Sequence, residues 1–323
     1  MKSLLLLSAF TLSAFAQDIV YTKDNTHAFL PKNGTVNLIL SAEAINDTLD
    51  VFKVKESEVS TSSANYDSLG DMTGINLELS YAFLDNFYLH TNYNRKDIGY
   101  LDSNLINNKF DISLRYQVFA NENHAFAIDG GMDINIADDT TITDANTTTN
   151  FANKAGISVD SSAPLSMKDS QDFGLYTQAI YTYKADDFLF DLFAGYKQIT
   201  IDASKYEYTT GTGNSAVTTI ASRDDGMLFA GLGLREKFGS FYTEVSYKYT
   251  KMLRIEGLKE NLTNHIFDLN VTYPISDKVG IFLGGKIMTN QFNGEIPYLY
   301  NQYTQSSFDK KYGYASTGLI VKF

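Results

Sequence analysis

Apolar and polar residues alternate along most of the chain after residue 34, which is the pattern of β-strands with two different faces. In the stretch GINLELSYAFLDNFYLHTNY, every second residue from Ile75 to Phe83 is apolar, with Asn76 and Glu78 between them. The turn LDN follows, and the alternation then resumes at Phe87. We interpret this unit as a β-hairpin with a tight turn.

The same unit recurs four more times, around the short turns ANEN, KADD, KFGS and PISDK. One further alternating strand, from Val36 to Ala42, precedes the first hairpin, and another, from Ala315 to Phe323, ends the chain. Five hairpins and two single strands predict twelve strands, and the pattern is also compatible with ten to fourteen.

The connections between these hairpins are long and polar, unlike the turns within them. We place them at residues 47–73, 94–108, 137–170, 200–225, 250–262 and 289–310, and the stretch DDTTITDANTTTN (138–150) is of low complexity. Short turns at one end and long loops at the other are typical of antiparallel transmembrane β-barrels. A sheet is stable in hydrocarbon only when it closes on itself, because every backbone N–H and C=O group must then be hydrogen-bonded within the sheet. The sequence therefore predicts an all-β transmembrane barrel over residues 35–323.

Aromatic residues collect next to the short turns. A ring with a polar edge favours the boundary between membrane and water, so membrane barrels carry aromatic girdles there. A soluble β-sandwich or β-solenoid would show the same alternation, but it does not account for this clustering or for the asymmetry of the loops. The residues concerned are Tyr81, Phe83, Phe87, Tyr116, Phe126, Tyr181, Tyr183, Phe188, Phe238, Phe241, Tyr273 and Phe323.

The first residues have the features of an export signal. MKSLLLLSAFTLSAFAQ combines one lysine, an apolar run and the small-residue pattern Ala14-Phe15-Ala16, which predicts a signal peptide over residues 1–16. Residues 17–34 would then form a periplasmic N-terminal segment before the barrel, either free or folded into its mouth. The chain has no cysteine and a formal net charge of −12. Disulfides are thereby excluded, and nucleic acid is not an expected partner.

The last strand, YGYASTGLIVKF, carries a recognisable ending. Ser316, Gly318, Val321 and Phe323 have the spacing of the C-terminal insertion signal of bacterial outer-membrane β-barrels, and the chain resembles that family. The resemblance implies residence in the outer membrane of a Gram-negative bacterium. It also implies contact with outer-membrane lipid and lipopolysaccharide, and insertion by the β-barrel assembly machinery. The sequence leaves the oligomeric state open.

If the apolar faces contact lipid, the residues between them face the lumen. Many of these are ionisable, and such groups require either water or an ion-pair partner. A water-filled charged pore with a mild cation preference would follow from the first arrangement. A salt-bridged plug that does not conduct would follow from the second. The predicted lumen residues are Glu43, Glu78, His90, Asp111, Arg115, Asp129, Asp133, Asp191, Lys197, Arg235, Glu244, Lys248, Asp268 and Lys286.

Passive diffusion of small hydrophilic solutes or ions is therefore the expected function. A non-conducting surface or adhesion barrel that acts through its long loops is an alternative. An enzyme at the barrel rim is a second alternative, but none of the four histidines lies in a motif that would support hydrolysis. We accordingly expect no catalytic activity, no cofactor and no metal. The sequence does not define the role of loop 137–170.

Overall fold

The structure is a computed structural model that describes residues 27–55, 69–100, 102–186, 188–202, 205–219, 222–253, 263–299 and 310–323. The predicted signal peptide and residues 17–26 lie outside these ranges, and so do parts of five predicted loops. No helix within the described residues is both long and apolar enough to cross a membrane.

Twelve antiparallel strands form a closed barrel, as the alternation predicts. Around the ring the order is β1, β16, β15, β14, β13, β12, β9, β8, β5, β4, β3, β2 and back to β1. The barrel strands are β1 (Val36–Ile45), β2 (Met72–Leu84), β3 (Phe87–Tyr100), β4 (Ser103–Ala120), β5 (His124–Ala137), β8 (Gln171–Ala185), β9 (Phe188–Ile201), β12 (Arg223–Phe238), β13 (Phe241–Leu253), β14 (Thr263–Ser276), β15 (Val279–Met288) and β16 (Tyr312–Lys322).

The first and last strands close the ring. Leu40 of β1 pairs with Leu319 of β16, and the register continues to Ala44 opposite Ala315. Val36 and Phe323 exchange two backbone hydrogen bonds of 3.2 and 2.9 Å. The C-terminal residue is thus part of the ladder, and no strand edge is left open at this seam.

The outer face is apolar, as expected for contact with lipid. Alternate apolar residues of the strands point away from the lumen, and Leu77, Leu79 and Leu114 are examples that are 43 to 46% exposed. Aromatic side chains lie beside the short turns, where Phe83 stacks on Phe87 at a centroid distance of 5.7 Å and Phe87 contacts Tyr116 at 5.0 Å. An apolar outer face with aromatic residues at its boundary is the surface of a membrane-spanning barrel.

Several predicted loops have regular structure. The connection predicted at 94–108 is mostly strand, because β3 and β4 remain paired as far as Tyr100 and Ser103. Loop 137–170 and loop 200–225 supply a separate four-stranded sheet, here called the outer sheet, in the order β11-β10-β7-β6. Its strands are β6 (Thr140–Ile142), β7 (Leu165–Lys168), β10 (Lys205–Thr209) and β11 (Ser215–Thr219).

Part of the low-complexity stretch 138–150 is helical. Helix α1 (Ala145–Ala155) begins there, and the Asp144 side chain caps it by accepting a hydrogen bond from Thr147 N. Phe151 on this helix packs on Tyr206 of the outer sheet at a centroid distance of 4.7 Å. A cap and one apolar anchor are sufficient to order a Thr- and Asn-rich helix against a sheet.

Candidate functional site

A polar cavity of about 410 Å³ lies inside the barrel. All fourteen residues predicted to face the lumen lie on inward-facing positions of the strands. Six carboxylates and four lysines are among the residues that line the cavity. Nine of the predicted residues contact it, namely Glu43, Glu78, His90, Asp111, Asp133, Lys197, Lys248, Asp268 and Lys286. That they line a conducting pore stays a prediction.

Ion pairs connect neighbouring strands within the cavity wall. Asp133 Oδ2 accepts from Lys197 Nζ at 2.6 Å and from Lys109 Nζ at 3.1 Å, so one carboxylate serves two lysines. Lys286 Nζ lies 3.8 Å from Asp268. Glu43 pairs with Lys96, which is buried on β3. These contacts balance much of the charge without filling the cavity.

The other five predicted residues form a buried layer nearer the short turns, which we call the basal charge layer. Arg115 Nη2 donates to Asp129 at 2.8 Å, and Arg235 Nε donates to Glu244 at 2.9 Å. Arg235 also pairs with Asp191, which is completely buried. These five side chains do not contact the cavity, because they are used to satisfy one another. The members are Arg115, Asp129, Asp191, Arg235 and Glu244.

The N-terminal segment (residues 27–34) packs into the barrel at this end. Arg115 Nη1 donates to the His27 carbonyl at 2.8 Å, and Gln117 donates to the Ala28 carbonyl at 2.7 Å. Ala28 N donates to Thr182 Oγ1 at 2.7 Å. Burial and the charges of Arg235 and Arg115 hold the pKa of His27 well below its ordinary value. The segment therefore docks with a neutral histidine.

At the opposite end, the inward loop (residues 289–299) covers the cavity. Asn264 donates to the carbonyls of Asn290 and Asn293 at 2.8 and 3.0 Å, and Asn135 donates to the carbonyl of Glu295 at 3.1 Å. The Lys286 ammonium donates to the Glu295 carboxylate at 3.1 Å. The loop is thus bound to strands on both sides of the lumen.

The charge of Glu295 is stabilised by lysines. Burial alone would raise its pKa, but the cations of Lys286, Lys96 and Lys109 lower it to about 2. Glu295 therefore remains ionised throughout the physiological range. Further along the same loop, Tyr298 N donates to Asp172 at 3.0 Å and its hydroxyl donates to Asn107 at 2.9 Å.

The two sides of the cavity differ in chemistry. Strands β9, β12 and β14 contribute the apolar side chains Phe193, Met227, Phe229 and Ile266. Strands β2, β3 and β4 lie across the ring from them and contribute one lysine, Lys109, which pairs with Asp133, together with acidic, amide and imidazole groups, namely Glu78, Asp111, Asn76, Asn92, Asn94 and His90.

Alternation did not reveal several important residues. Glu295, Phe292 and Tyr298 lie in a connection that was expected to be an outer loop. Its sequence NGEIPYLY is unusually apolar for an exposed loop, and that is the signal from which burial could be inferred. Lys96 was expected to lie beyond a strand end, but it lies inside the barrel because β3 is longer than predicted.

Three residues of the C-terminal motif lie on β16, and the fourth, Phe323, follows it directly. Ser316 faces inward and is buried, whereas Phe323 is 66% exposed at the end of the barrel. At Gly318 a Cβ atom would lie 2.2 Å from the Leu40 carbonyl oxygen, so a larger residue would push β1 and β16 apart. Val321 pairs with Leu38 of β1. Their role in insertion stays a prediction.

No group of three or more histidine, aspartate or glutamate side chains in the described part of the chain is arranged to hold a metal ion.

Comparison with known proteins identifies the fold and does not identify a subfamily. No protein-family model matches the chain, and no curated protein matches it. Among solved structures, the translocator domain of autotransporter NalP from Neisseria meningitidis has a TM-score of 0.53 at 9% identity, over 98% of this chain and 95% of that one. The NanC porin has a TM-score of 0.45 at 6% identity, over 88% and 98%. The P. putida toluene transporter TodX has a TM-score of 0.43 at 11% identity, over 91% and 89%.

Sequence identities this low are informative about architecture only. The match to the NalP translocator domain extends over nearly the full length of both chains and supports the barrel fold of this one. The chain has the fold of the bacterial outer-membrane β-barrels, and its apolar outer face suits contact with lipid.

Proposed function

We propose that the chain is an outer-membrane channel for the passive diffusion of small hydrophilic solutes or ions. The observation that supports this proposal is the charged cavity within the barrel, which retains about 410 Å³ of space after its side chains have paired. Each water needs ~30 Å³, so this space would hold about a dozen waters. A barrel with a purely structural interior would have no need of a wet chamber lined by ionised groups.

Passage requires the segments that cover the cavity to move. The inward loop lies across the end with the long loops, and the basal charge layer with the N-terminal segment lies across the other end. In this proposal the structure is the closed state of the channel, and conduction follows displacement of these segments.

Single-channel conductance of refolded Gln17–Phe323 in a planar bilayer tests the proposal. Discrete ohmic steps with a weak cation preference are expected, because the cavity has more carboxylates than lysines. Asp111→Lys should shift the preference toward anions, since Asp111 lines the cavity. Asp85→Lys is the matched control, because Asp85 is exposed in a short turn.

Silence would count against the channel only if the protein is folded. Heat-modifiable migration and a β-type circular dichroism spectrum establish folding. A folded barrel that stays silent even after the inward loop has been shortened would refute the proposal.

A second candidate, recognition of a ligand at the cell surface, is supported by the outer sheet. Leu165, Tyr206 and Tyr208 form with Phe151 an apolar core that is separate from the barrel. A connection that only joined strands would not need its own core. Deletion of β10 and β11 with retention of conductance and loss of ligand or phage binding would favour this candidate.

A further inference from the structure

Lys248 is in an unusual position among the cations of the cavity. Lys109, Lys197 and Lys286 each contact a carboxylate at 2.6 to 3.1 Å. Among the described residues, no carboxylate lies within ion-pairing distance of Lys248 Nζ, which instead lies 5.0 Å from the centroid of the Phe229 ring. Its ammonium is therefore available to an anion that enters the cavity.

The residues in register with Lys248 are apolar. The register places Gly231 of β12 beside Lys248 on one side and Ile266 of β14 on the other. Gly231 also pairs with Phe193 of β9, so one row crosses four strands. A Cβ atom on Gly231 would lie 2.3 Å from Phe193 Cζ, which means that the missing side chain lets this ring lie flat across the wall. The row thus presents a ring, a cation and a branched aliphatic group side by side.

The opposite wall carries more acidic than basic groups, because its one lysine at the cavity, Lys109 of β4, is bound to Asp133 of β5. Strand β3 lies six places from β13 in either direction around the twelve-membered ring, and β2 and β4 flank it. Glu78 and Asp111 on these strands contact the cavity, and Asn92 of β3 lies between them. A second negative charge on a solute would be repelled there, whereas amide or hydroxyl groups would find hydrogen-bond partners.

We propose that the cavity is a binding site for a small organic monoanion with an apolar body, such as an aryl or branched-chain monocarboxylate. The carboxylate contacts Lys248, and the apolar body packs on Phe229, Phe193 and Ile266. Dianions are disfavoured by the acidic wall. This inference rests on the proposed function in that it names the class of solute that the channel would retain, but binding itself does not require conduction.

Equilibrium dialysis of radiolabelled phenylacetate against detergent-folded Gln17–Phe323 tests the proposal. The protein is refolded in the presence of the probe, so that a closed cavity does not prevent entry. Unlabelled phenylacetate should displace the label, whereas neutral phenylacetamide, acetate and the dianion phthalate should each compete about tenfold less well or worse. Equal competition by phenylacetamide would overturn the proposal, because the charge would then have no role.

Variants locate the site. Lys248→Gln should weaken phenylacetate binding about tenfold or more, since a hydrogen bond to a charged group is lost. Phe229→Leu should weaken it less, because part of the apolar surface remains. Lys278→Gln removes the same charge from an exposed turn and should leave binding unchanged. Unchanged affinity in a folded Lys248→Gln protein would refute the assignment.

The result is distinguishable from that of the channel test. Conductance without phenylacetate binding would refute this inference and leave the channel intact. Binding that depends on Lys248 without conductance in any variant would support the site and refute the channel.

Discussion

The two segments that enter the barrel from opposite ends are held by different interactions. The inward loop is fixed by an ionised carboxylate, by amide side chains that donate to its backbone and by Phe292, which is completely buried. The N-terminal segment is held through its backbone carbonyls by Arg115 and Gln117, with a neutral histidine beside two arginines. The inward loop thus depends on the negative charge of Glu295, which persists at every physiological pH. The N-terminal segment, in contrast, docks only when His27 carries no charge.

Removal of the inward loop should have the largest effect. Replacement of residues 290–299 by a short Gly-Ser linker removes the cover of the cavity at one end, so open-channel steps should become much more frequent. The measurement is single-channel recording in a planar bilayer. Deletion of β11 is the control, because the outer sheet lies outside the barrel. If the shortened protein conducts no more often than the intact one, the loop is not the barrier.

Arg235→Met, in the basal charge layer at the other end of the barrel, should have the next largest effect, and this effect is on stability. It leaves Asp191 and Glu244 buried without their cation, which costs about 3–5 kcal/mol in the free energy of unfolding. Urea unfolding in lipid vesicles measures this change in the free energy of unfolding. Lys168→Met breaks the exposed pair with Glu207 in the outer sheet and should leave the free energy of unfolding nearly unchanged, because water screens this pair. Similar losses in the two variants would contradict the assignment of a buried basal charge layer.

Glu295→Gln should loosen the inward loop alone. The amide keeps the size of the side chain but loses its charge-assisted bond to Lys286, a loss of about 1–3 kcal/mol in loop closure. The probability of the open state should rise without any new pH dependence. With a pKa of about 2, Glu295 stabilises the closed loop at any pH above its ordinary value of 4.5, and this support is lost only as the pH falls toward 2. A wild-type loop that opens between about pH 8 and pH 5 would contradict this assignment.

Protonation of His27 should have the smallest effect on the open probability, and this effect should depend on pH. Because the docked histidine has the lower pKa, docking is fully favourable above the ordinary value of 6.5 and weakens as the pH falls below it. Each unit of separation between the two pKa values contributes about 1.4 kcal/mol at most. Open probability should therefore rise from pH 7.5 to pH 5.5 in the wild type and stay level in His27→Gln. Persistence of the rise in His27→Gln would assign it to another group, such as His90.

The barrel was predictable because its physical cause repeats along the sequence. Lipid on one side and a polar interior on the other require alternation on every strand. The side to which Leu77 or Glu78 points can therefore be predicted without knowing which strands lie next to β2. The closing strand was predictable for the same reason, and the pairing of Val36 with Phe323 confirms it. The lengths of β3 and β4 were not predictable, because beyond Asn94 the outward residues Arg95 and Asp97 are polar while the inward Ile98 and Tyr100 are apolar, which reverses the pattern.

The partners within the lumen could not be derived from the pattern. Alternation shows that Arg235 faces inward, but the register decides that it meets Asp191 and Glu244 instead of the carboxylates of the cavity. The outer sheet was missed because its strands are three to five residues long and come from different connections. The burial of Phe292 depends on Tyr312, against which its ring packs at 5.3 Å, and no local rule connects these two residues.

The hydrogen bonds between Val36 and Phe323 have a consequence for the order of folding. They join residues almost the whole described chain apart, so the seam is the contact with the greatest loop-closure entropy and should form late. Until then both β1 and β16 present open edges that can add a strand from another chain. Slow formation of the seam would therefore make refolding yield fall steeply with protein concentration, even though the finished ring offers no edge for aggregation.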